Sequence, residues 1–532
     1  MAGSIVLKPY ERRREPGLVS RTVAGIGLVF LAAFYGLMCS IIPFQLVAVP
    51  AVPLLLAAAL CLWLLPDTEA MYDGTMARLL LLFFGFTICW PNYIAVNLPG
   101  LPWMTPARAL VISLVAVTLF SLATSSRMRA AFSENMNAVP IIRIAFWAFW
   151  AATTVSLFLS GTVGSLVGKY FSNQMFWTMM FGTAAVVAAQ PGFVMRFAKV
   201  LAGGAIFTAM LAIMEFALKE VIWLSWLPTF LIADPEAVAN IADGEIRYGT
   251  TFYRVRGPFA VSLYFAEFLA LTMPFVLYLA FLSKSWRDRL LLGAGFVAVG
   301  IAAFLTGARS GLIALLLTLA VSLFMVSLRI WLRRPSALVS ATVVYGYPAF
   351  ALTMAGIILS WNRLRVMVLG GGQHASSNDA REQQWVMGWP KILENPLGHG
   401  VSTSGDVLQF MTPSGLLTVD SYVLTLLLDY GIIGCLAFAV MFLSVILFGG
   451  LAYLRSNTDE EQLLGPVTVA FLNFAIIKTV LSTEANLPLS FAMLGCAVAL
   501  IRRQQLALDP DAKPGTMRGL LATFAIRREA AR

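Results

Sequence analysis

Trp361-Asn362-Arg363-Leu364-Arg365, Gly370-Gly371-Gly372, Asp379-Ala380-Arg381-Glu382-Gln383-Gln384-Trp385, Asn395-Pro396-Leu397-Gly398-His399-Gly400 and Asp420-Ser421-Tyr422 follow one another in the longest polar interval of the chain. The interval leads into the apolar run Val423 to Leu428 and then Asp429-Tyr430-Gly431-Ile432-Ile433-Gly434. On either side the sequence is almost uninterrupted hydrocarbon. Most of the polar groups able to do chemistry are therefore concentrated here.

The composition explains that contrast. Of 532 residues, 59% are hydrophobic and 12% charged, and mean hydropathy is +0.82. A soluble globular chain is about a quarter charged. A chain with half of that is a polytopic membrane protein. The five cysteines, Cys39, Cys61, Cys89, Cys435 and Cys496, all fall inside apolar runs. They read as small buried hydrophobes rather than as a disulfide frame or metal ligands. Basic residues precede an apolar run from Val23 to Ile42, with no A-x-A cleavage site after it. An uncleaved first span is expected.

A bilayer core of about 30 Å needs roughly 20 apolar residues per helix. Spans are expected near 22–42, 47–65, 79–95, 108–124, 143–160, 174–189, 199–217, 259–282, 289–306, 310–328, 338–360, 420–453, 464–482 and 486–501. The expected fold class is all-α: a polytopic helical bundle of about fourteen transmembrane helices, with a large periplasmic loop containing short helices. The 420–453 segment is too long for one straight span and is expected to tilt or to run past the membrane surface. The expected organisation is a cytoplasmic segment 1–21, a membrane domain 22–501 with periplasmic loops 218–258 and 361–419, and a cytoplasmic tail 502–532.

Charge placement fixes the expected orientation. With the N-terminus inside, the inside segments, both termini included, hold 25 of the 37 Lys and Arg, and the short outside loops are nearly bare. This is the positive-inside pattern, with both termini cytoplasmic. The net charge of +10 is thus a topology signal, and no nucleic-acid partner is expected. Basic residues that defy the bias need another reason. Arg247, Arg254 and Arg256 crowd the end of the 218–258 loop, Arg309 sits in a tight outside turn, and Arg363, Arg365, Arg381 and Lys391 lie in 361–419. An anionic ligand at the outer membrane face supplies that reason.

Each motif has a plainer structural alternative. Asp379-x-x-Glu382 has the form of a capping box opening a short helix, with Arg381, Trp385, Gly388, Trp389 and Ile392 at helical spacing and Pro390 expected to kink or shorten it. The plain reading is an interfacial helix with Trp anchors, which would hold Arg381 at headgroup depth. Arg309, in Thr306-Gly307-Ala308-Arg309-Ser310-Gly311, could snorkel; an arginine near hydrocarbon costs about 2.5–3.5 kcal/mol. The glycines and the following helix N-terminus favour an anion there. Tyr253-Arg254-Val255-Arg256-Gly257-Pro258-Phe259 is either a basic collar or a ligand loop, and it leads into a span carrying Glu267. An ionisable group inside a span is usually paired or functional. Asp420 reads as an N-cap or as a base. His399 is flanked by glycines, His374 follows the glycine run, and Lys478 and Glu484 flank the last outside turn, where they could pair. Asp509-Pro510-Asp511 looks like a D-x-D metal motif but lies in the tail, on the wrong side for the arginines. No metal site and no cofactor are expected.

The string Arg381…Trp385…Asn395-Pro396-Leu397-Gly398-His399-Gly400, then Asp420-Ser421-Tyr422 and Asp429-Tyr430-Gly431-Ile432-Ile433-Gly434, resembles the O-antigen ligase and Wzy-type polysaccharide polymerase superfamily. That family carries R…W…NPLxGxG before a span that begins H-N-x-Y-L and continues E-x-G-x-x-G. Thr306-Gly307-Ala308-Arg309-Ser310-Gly311 looks like the family's S/A-R-G helix start, and Arg256-Gly257-Pro258-Phe259 like its R-x-x-G-x-F motif. The resemblance covers roughly residues 250–450. Asp420 and Ser421 stand where the family has His and Asn.

The resemblance implies glycan transfer from undecaprenyl diphosphate at the outer face of the bacterial inner membrane. Breaking the glycosidic bond builds charge on the diphosphate, and arginines in a low-dielectric site would stabilise it without metal. Arg309 and Arg381 are assigned to the diphosphate and Arg256 to diphosphate or sugar. Asp420 is the candidate base, with His399 and Glu267 behind it. Arg254, Trp385 and Tyr422 complete the expected substrate-binding set. The first reading is a polymerase for an exopolysaccharide, capsule or O-antigen; the second is a ligase to lipid A core or another acceptor. The third is a flippase or other transporter, which should show repeated halves and matching midplane breaks. Neither repeat nor matched breaks are visible in the sequence. Expected partners are the lipid-linked oligosaccharide, membrane lipid, and a flippase and chain-length regulator of the same pathway.

Overall fold

A computed structural model of the chain describes residues 67–96, 103–160, 163–232, 252–334, 336–362, 375–411 and 417–508, with positions 238, 241, 245, 246, 365 and 415. The chain is a polytopic helical membrane protein. Its helices are α1 (Asp73–Cys89), α2 (Pro106–Thr124), α3 (Ser126–Ala138), α4 (Pro140–Leu159), α5 (Val163–Phe176), α6 (Thr178–Val187), α7 (Phe193–Leu218) and α8 (Ser262–Leu282). They continue with α9 (Trp286–Leu305), α10 (Arg309–Arg333), α11 (Leu338–Ser360), α12 (Ala375–Glu394), α13 (Ser404–Leu408), α14 (Tyr422–Arg455), α15 (Leu464–Lys478) and α16 (Leu487–Leu508). A two-residue ribbon, β1 (Glu245–Ile246) against β2 (Tyr253–Arg254), is antiparallel. Among the described residues, eight helices are long and apolar enough to cross a bilayer.

The expected spans at 22–42 and 47–65 lie outside the described residues, as do Arg247, Arg363, His374 and the Asp509-Pro510-Asp511 motif. Several expectations are sharpened or corrected. The 174–189 span is two helices, α5 and α6, which meet at Trp177. Its indole is buried and stacks flat on Phe491, with ring centroids 6.0 Å apart. The supposed inside loop after 124 is helix α3, capped by the Ser125 hydroxyl, which accepts the Met128 N–H. Cys89 is exposed, not buried. Helix α16 runs to Leu508, beyond the expected start of the tail.

Helix α8 is the central element, buried along most of its length and packed on α7, α9, α10 and α15. Helix α11 is the peripheral one. It leans on α10, and only Ser340 of its residues is buried. At one end of the bundle the Glu460 carboxylate accepts the Gly192 and Val194 N–H groups at the start of α7 and pairs with Arg503 at 2.9 Å. The functional candidates gather at the opposite end.

Helix α14 explains the long apolar segment. It neither tilts as one rod nor simply overshoots: its backbone breaks at Gly431, with φ 70° and ψ −173°. A break inside hydrocarbon strands backbone polar groups, which must find partners in the protein. The Asn395-Pro396-Leu397-Gly398-His399-Gly400 segment supplies them. The Ile432 N–H donates to the Pro396 carbonyl at 2.9 Å, while His399 N–H and Gly400 N–H donate to the Leu428 and Asp429 carbonyls at 2.8 and 3.1 Å. The Asp429 carboxylate then accepts the Ser402, Thr403 and Ser404 N–H groups, opening α13. Gly398 has φ 95°, and a side chain there would fall on the Asp429 carbonyl; one at Gly431 would fall on the Pro396 carbonyl. Both glycines are required by close backbone approach and by positive φ.

Gly431→Ala is therefore expected to destabilise the protein by about 1–3 kcal/mol or more. The check is the melting temperature in detergent, with Gly356→Ala on peripheral α11, where an added methyl meets nothing within 4 Å, as the neutral comparison.

Candidate functional site

Two loops that are distant in sequence are clasped together. The Val255 N–H donates to the Leu305 carbonyl at 3.2 Å, and Arg254 Nε donates to the Thr306 carbonyl at 2.8 Å. This lays the basic loop over the α9–α10 turn, where Gly307 takes φ 64° under the Arg254 side chain. Arg309 then starts α10, half-buried, at a helix N-terminus, whose dipole favours an anion. Gly311 sits close to Ala266, so this helix start abuts the residue before Glu267.

The basic loop is shaped by Glu215, near the end of α7. Its carboxylate accepts Arg256 N–H at 3.1 Å, Gly257 N–H at 2.7 Å and the Tyr253 hydroxyl at 3.2 Å. Arg256 is 4% exposed, and its Nη1 donates to the Ala260 carbonyl at 3.2 Å. Its Nε has no hydrogen-bond partner among the described residues.

A second polar cluster adjoins the first through the start of α8. Glu267 is fully buried and pairs with Lys478 at 2.8 Å. Asn486 Nδ2 donates to the same carboxylate at 2.9 Å and to the Tyr264 carbonyl at 3.0 Å. Lys478 also donates to the Thr483 carbonyl, and its Nζ lies 4.7 Å from the Tyr422 ring centroid. The Ser482 hydroxyl donates to the Val419 carbonyl, and Gln384 Oε1 accepts the Asp420 N–H at 2.8 Å. Of the two residues flanking the last outside turn, Lys478 pairs with Glu267 and not with Glu484. Glu484, on the turn before α16, makes no ion pair among the described residues. Burial pushes its carboxyl up to about 7, against the opposing charges of Lys478 and Lys169. In this second cluster Arg381 Nε, Gln384 Nε2, Ser421 Oγ and Tyr422 Oη are buried without hydrogen-bond partners among the described residues. Orphaned buried polar atoms are costly, and a polar ligand at this cluster would satisfy these four.

Helix α12 forms the wall beside Asp420. It already runs at Ala375, so Asp379 and Glu382 are interior and do not open it, and it continues through Pro390 to Glu394. Gln384 and Ile392 face inward, and Trp385 packs with Leu408, Leu424 and Leu428 in a small apolar cluster. Val386, Trp389 and Leu393 are exposed. Asp420 does not cap α14: the capping position is Ser421, without a side-chain bond. The Asp420 carboxylate has no partner among the described residues, so its proton-accepting capacity is not spent on the helix.

Of the sequence candidates, Arg254 and Arg309 lie on the two clasped loops, with Arg256 two residues along. Glu267, Tyr422, Asp420 and Arg381 belong to the adjoining cluster. His399 stands apart at the Gly431 break, with Nδ1 3.1 Å from the Leu428 carbonyl. Arg365 bonds Asn362, away from both clusters, and Lys391 donates to the Val407 and Leu408 carbonyls at the end of α13. The sequence reading passed over Glu215 and Gln384. Glu215 carried a usable signal, an acid within an apolar run, the rule that singled out Glu267.

Residues 294–439 match the family model for O-antigen ligase. This stretch therefore carries an O-antigen ligase domain, the kind found in membrane glycan ligases and polymerases. The matched stretch holds Arg309, Arg381, Trp385, His399, Asp420 and Tyr422. No curated protein matches the chain.

Glu215→Ala is expected to leave two loop N–H groups and a hydroxyl without their acceptor, at about 1–3 kcal/mol for each buried group orphaned. Limited trypsin digestion should then cut after Arg254 and Arg256, sites protected in the wild type. Unchanged protection would remove Glu215 from its role in shaping this loop.

Proposed function

We propose that the protein is a glycan polymerase of the cell envelope. It transfers an oligosaccharide from undecaprenyl diphosphate to a growing exopolysaccharide, capsule or O-antigen chain, at the periplasmic face of the bacterial inner membrane, with both termini cytoplasmic. The observation that carries this reading is the clasp that brings Arg254 and Arg256 against the turn leading to Arg309, beside a cluster with orphaned polar atoms. The leaving diphosphate gains charge as the glycosidic bond breaks. Arg309 and Arg381 bind that diphosphate, and Arg256, held by Glu215, reaches diphosphate or sugar. Fixed guanidinium groups in a dry site stabilise the developing charge without reorganisation, so no metal is required.

The acceptor hydroxyl gives up a proton as it attacks. Two carboxylates at this end of the bundle are not taken up by protein partners among the described residues, Asp420 before α14 and Glu484 before α16, and they handle the acceptor. Tyr422 and Trp385 line the substrate side. The lipid tail takes the apolar groove of about 600 Å³ between α4 and α14, which is lined by Ile141, Ile144, Ala148, Ile433, Leu436 and Val440. A flippase and a chain-length regulator would work with this enzyme in the same pathway.

Arg309→Lys and Arg381→Lys should insert normally but lose most activity, because an ammonium lacks the bidentate fork to phosphate. Glycan length on gels reads the outcome; near-wild-type length in both variants would remove them from the site. A deletion strain should accumulate single repeat units. Long chains left on the carrier would instead mean a ligase acting on lipid A core or another acceptor. Reporter fusions near residues 240 and 400 should report periplasm, and those near 286, 333 and 515 cytoplasm. A cytoplasmic signal at 400 would end the lipid-linked glycan reading.

A further inference from the structure

We propose that Glu484 is the group that takes the acceptor's proton, and that Asp420 orients the acceptor hydroxyl. This rests on the glycan-transfer reading above. Glu484 belongs to a turn fixed at three points: Lys478 to the Thr483 carbonyl, Ser482 to the Val419 carbonyl, and Asn486 to Glu267. The middle contact places the turn against the chain just before Asp420. The Glu267 carboxylate is consumed by Lys478 and Asn486 and is fully buried, so it cannot collect a proton from substrate. Glu484 has neither ion pair nor hydrogen bond to its carboxylate among the described residues, and it is only half-buried.

The charges around Glu484 come from three helices. Lys478 of α15 and Lys169 of α5 favour its ionised form. Tyr422, Asp429 and Tyr430 of α14 all feel its charge, and Tyr422 feels that of Glu267 on α8 as well. Tyr422 Oη, fully buried and without a hydrogen-bond partner among the described residues, provides a second polar group in the same space. A carboxylate there is a stronger base than an ordinary exposed aspartate, because burial raises its proton affinity towards neutral pH. In the step, the acceptor oxygen bonds the anomeric carbon while the anomeric C–O bond to diphosphate breaks. The bonding pair leaves on the diphosphate, the hydroxyl proton passes to the Glu484 carboxylate, and solvent removes it before the next turn.

The test uses the full-length protein in liposomes with a lipid-diphosphate oligosaccharide as substrate. Glu484→Gln should lower kcat by about a hundredfold or more, with KM within about threefold. Asp420→Asn should act mainly on KM. Glu484 must be ionised to accept a proton, so wild-type turnover should fall as pH drops through about 7 and level off above it. That limb should persist in Asp420→Asn. Lys169→Met, at an exposed position, removes a cation that favours ionised Glu484 and should move the limb to higher pH. This variant keeps the test decisive where Glu484→Gln melts early. A limb unmoved by Lys169→Met, a Glu484→Gln enzyme within about threefold of wild-type kcat, or a limb lost in Asp420→Asn would each overturn the assignment. Wild-type protein that leaves the lipid-diphosphate substrate untouched would overturn the glycan-transfer reading itself, and is distinguished by needing no variant.

Discussion

A peptide group in hydrocarbon must be hydrogen-bonded within the protein, and at Gly431 one helix violates its own ladder. The repair determines much of this end of the molecule. Because the Pro396–Gly400 backbone is drawn into the break, the chain between α12 and α14 is held down instead of lying loose on the surface. Because Asp429 then binds three N–H groups in a row, α13 starts at a defined place. Lys391 closes the other end of α13, which fixes α12 in turn. Arg381 and Gln384 thus owe their positions to a glycine some distance away in the fold.

Both poles of the bundle use charged side chains as braces. At the opposite pole, Glu460 binds two N–H groups and an arginine, and Arg329 binds Gln462 and Ser456 while its Nε keeps no hydrogen-bond partner among the described residues. These bonds brace helix ends. At the site end, Glu215 binds the basic loop and Glu267 pairs with Lys478, while Arg256, Arg381, Gln384, Ser421 and Tyr422 each keep an orphaned atom. The bonded carboxylates form a frame, and the orphaned atoms are what the frame presents. A buried ion pair such as Glu267–Lys478 contributes little net stability once desolvation is counted. Its effect here is geometric, joining α8, α15 and the last turn.

Much of this was legible in the sequence. Long apolar runs give spans because hydrocarbon thickness dictates their length, so most helices fall where hydropathy places them. Arginines on the wrong side of the positive-inside bias pointed to both loops of the clasp. What could not be read was anything set by tertiary partners. The α5–α6 break at Trp177 depends on stacking with Phe491, and α3 is a surface helix with no bilayer signal. The length of α14 pointed to a bend or an overshoot, but nothing local located the break at Gly431. Pairing of Lys478 with Glu267 instead of its sequence neighbour Glu484 needed the fold.

The clasp between the two arginine loops has a consequence for how such proteins diverge. Its Val255–Leu305 bond is main chain to main chain and so indifferent to side-chain identity, whereas Arg254 docks on the Thr306 carbonyl through its own guanidinium. The residues ahead of Tyr253 can therefore drift, or be exchanged between paralogues, without displacing Arg309. The loop ahead of the clasp can thus vary while the α9–α10 turn stays in register.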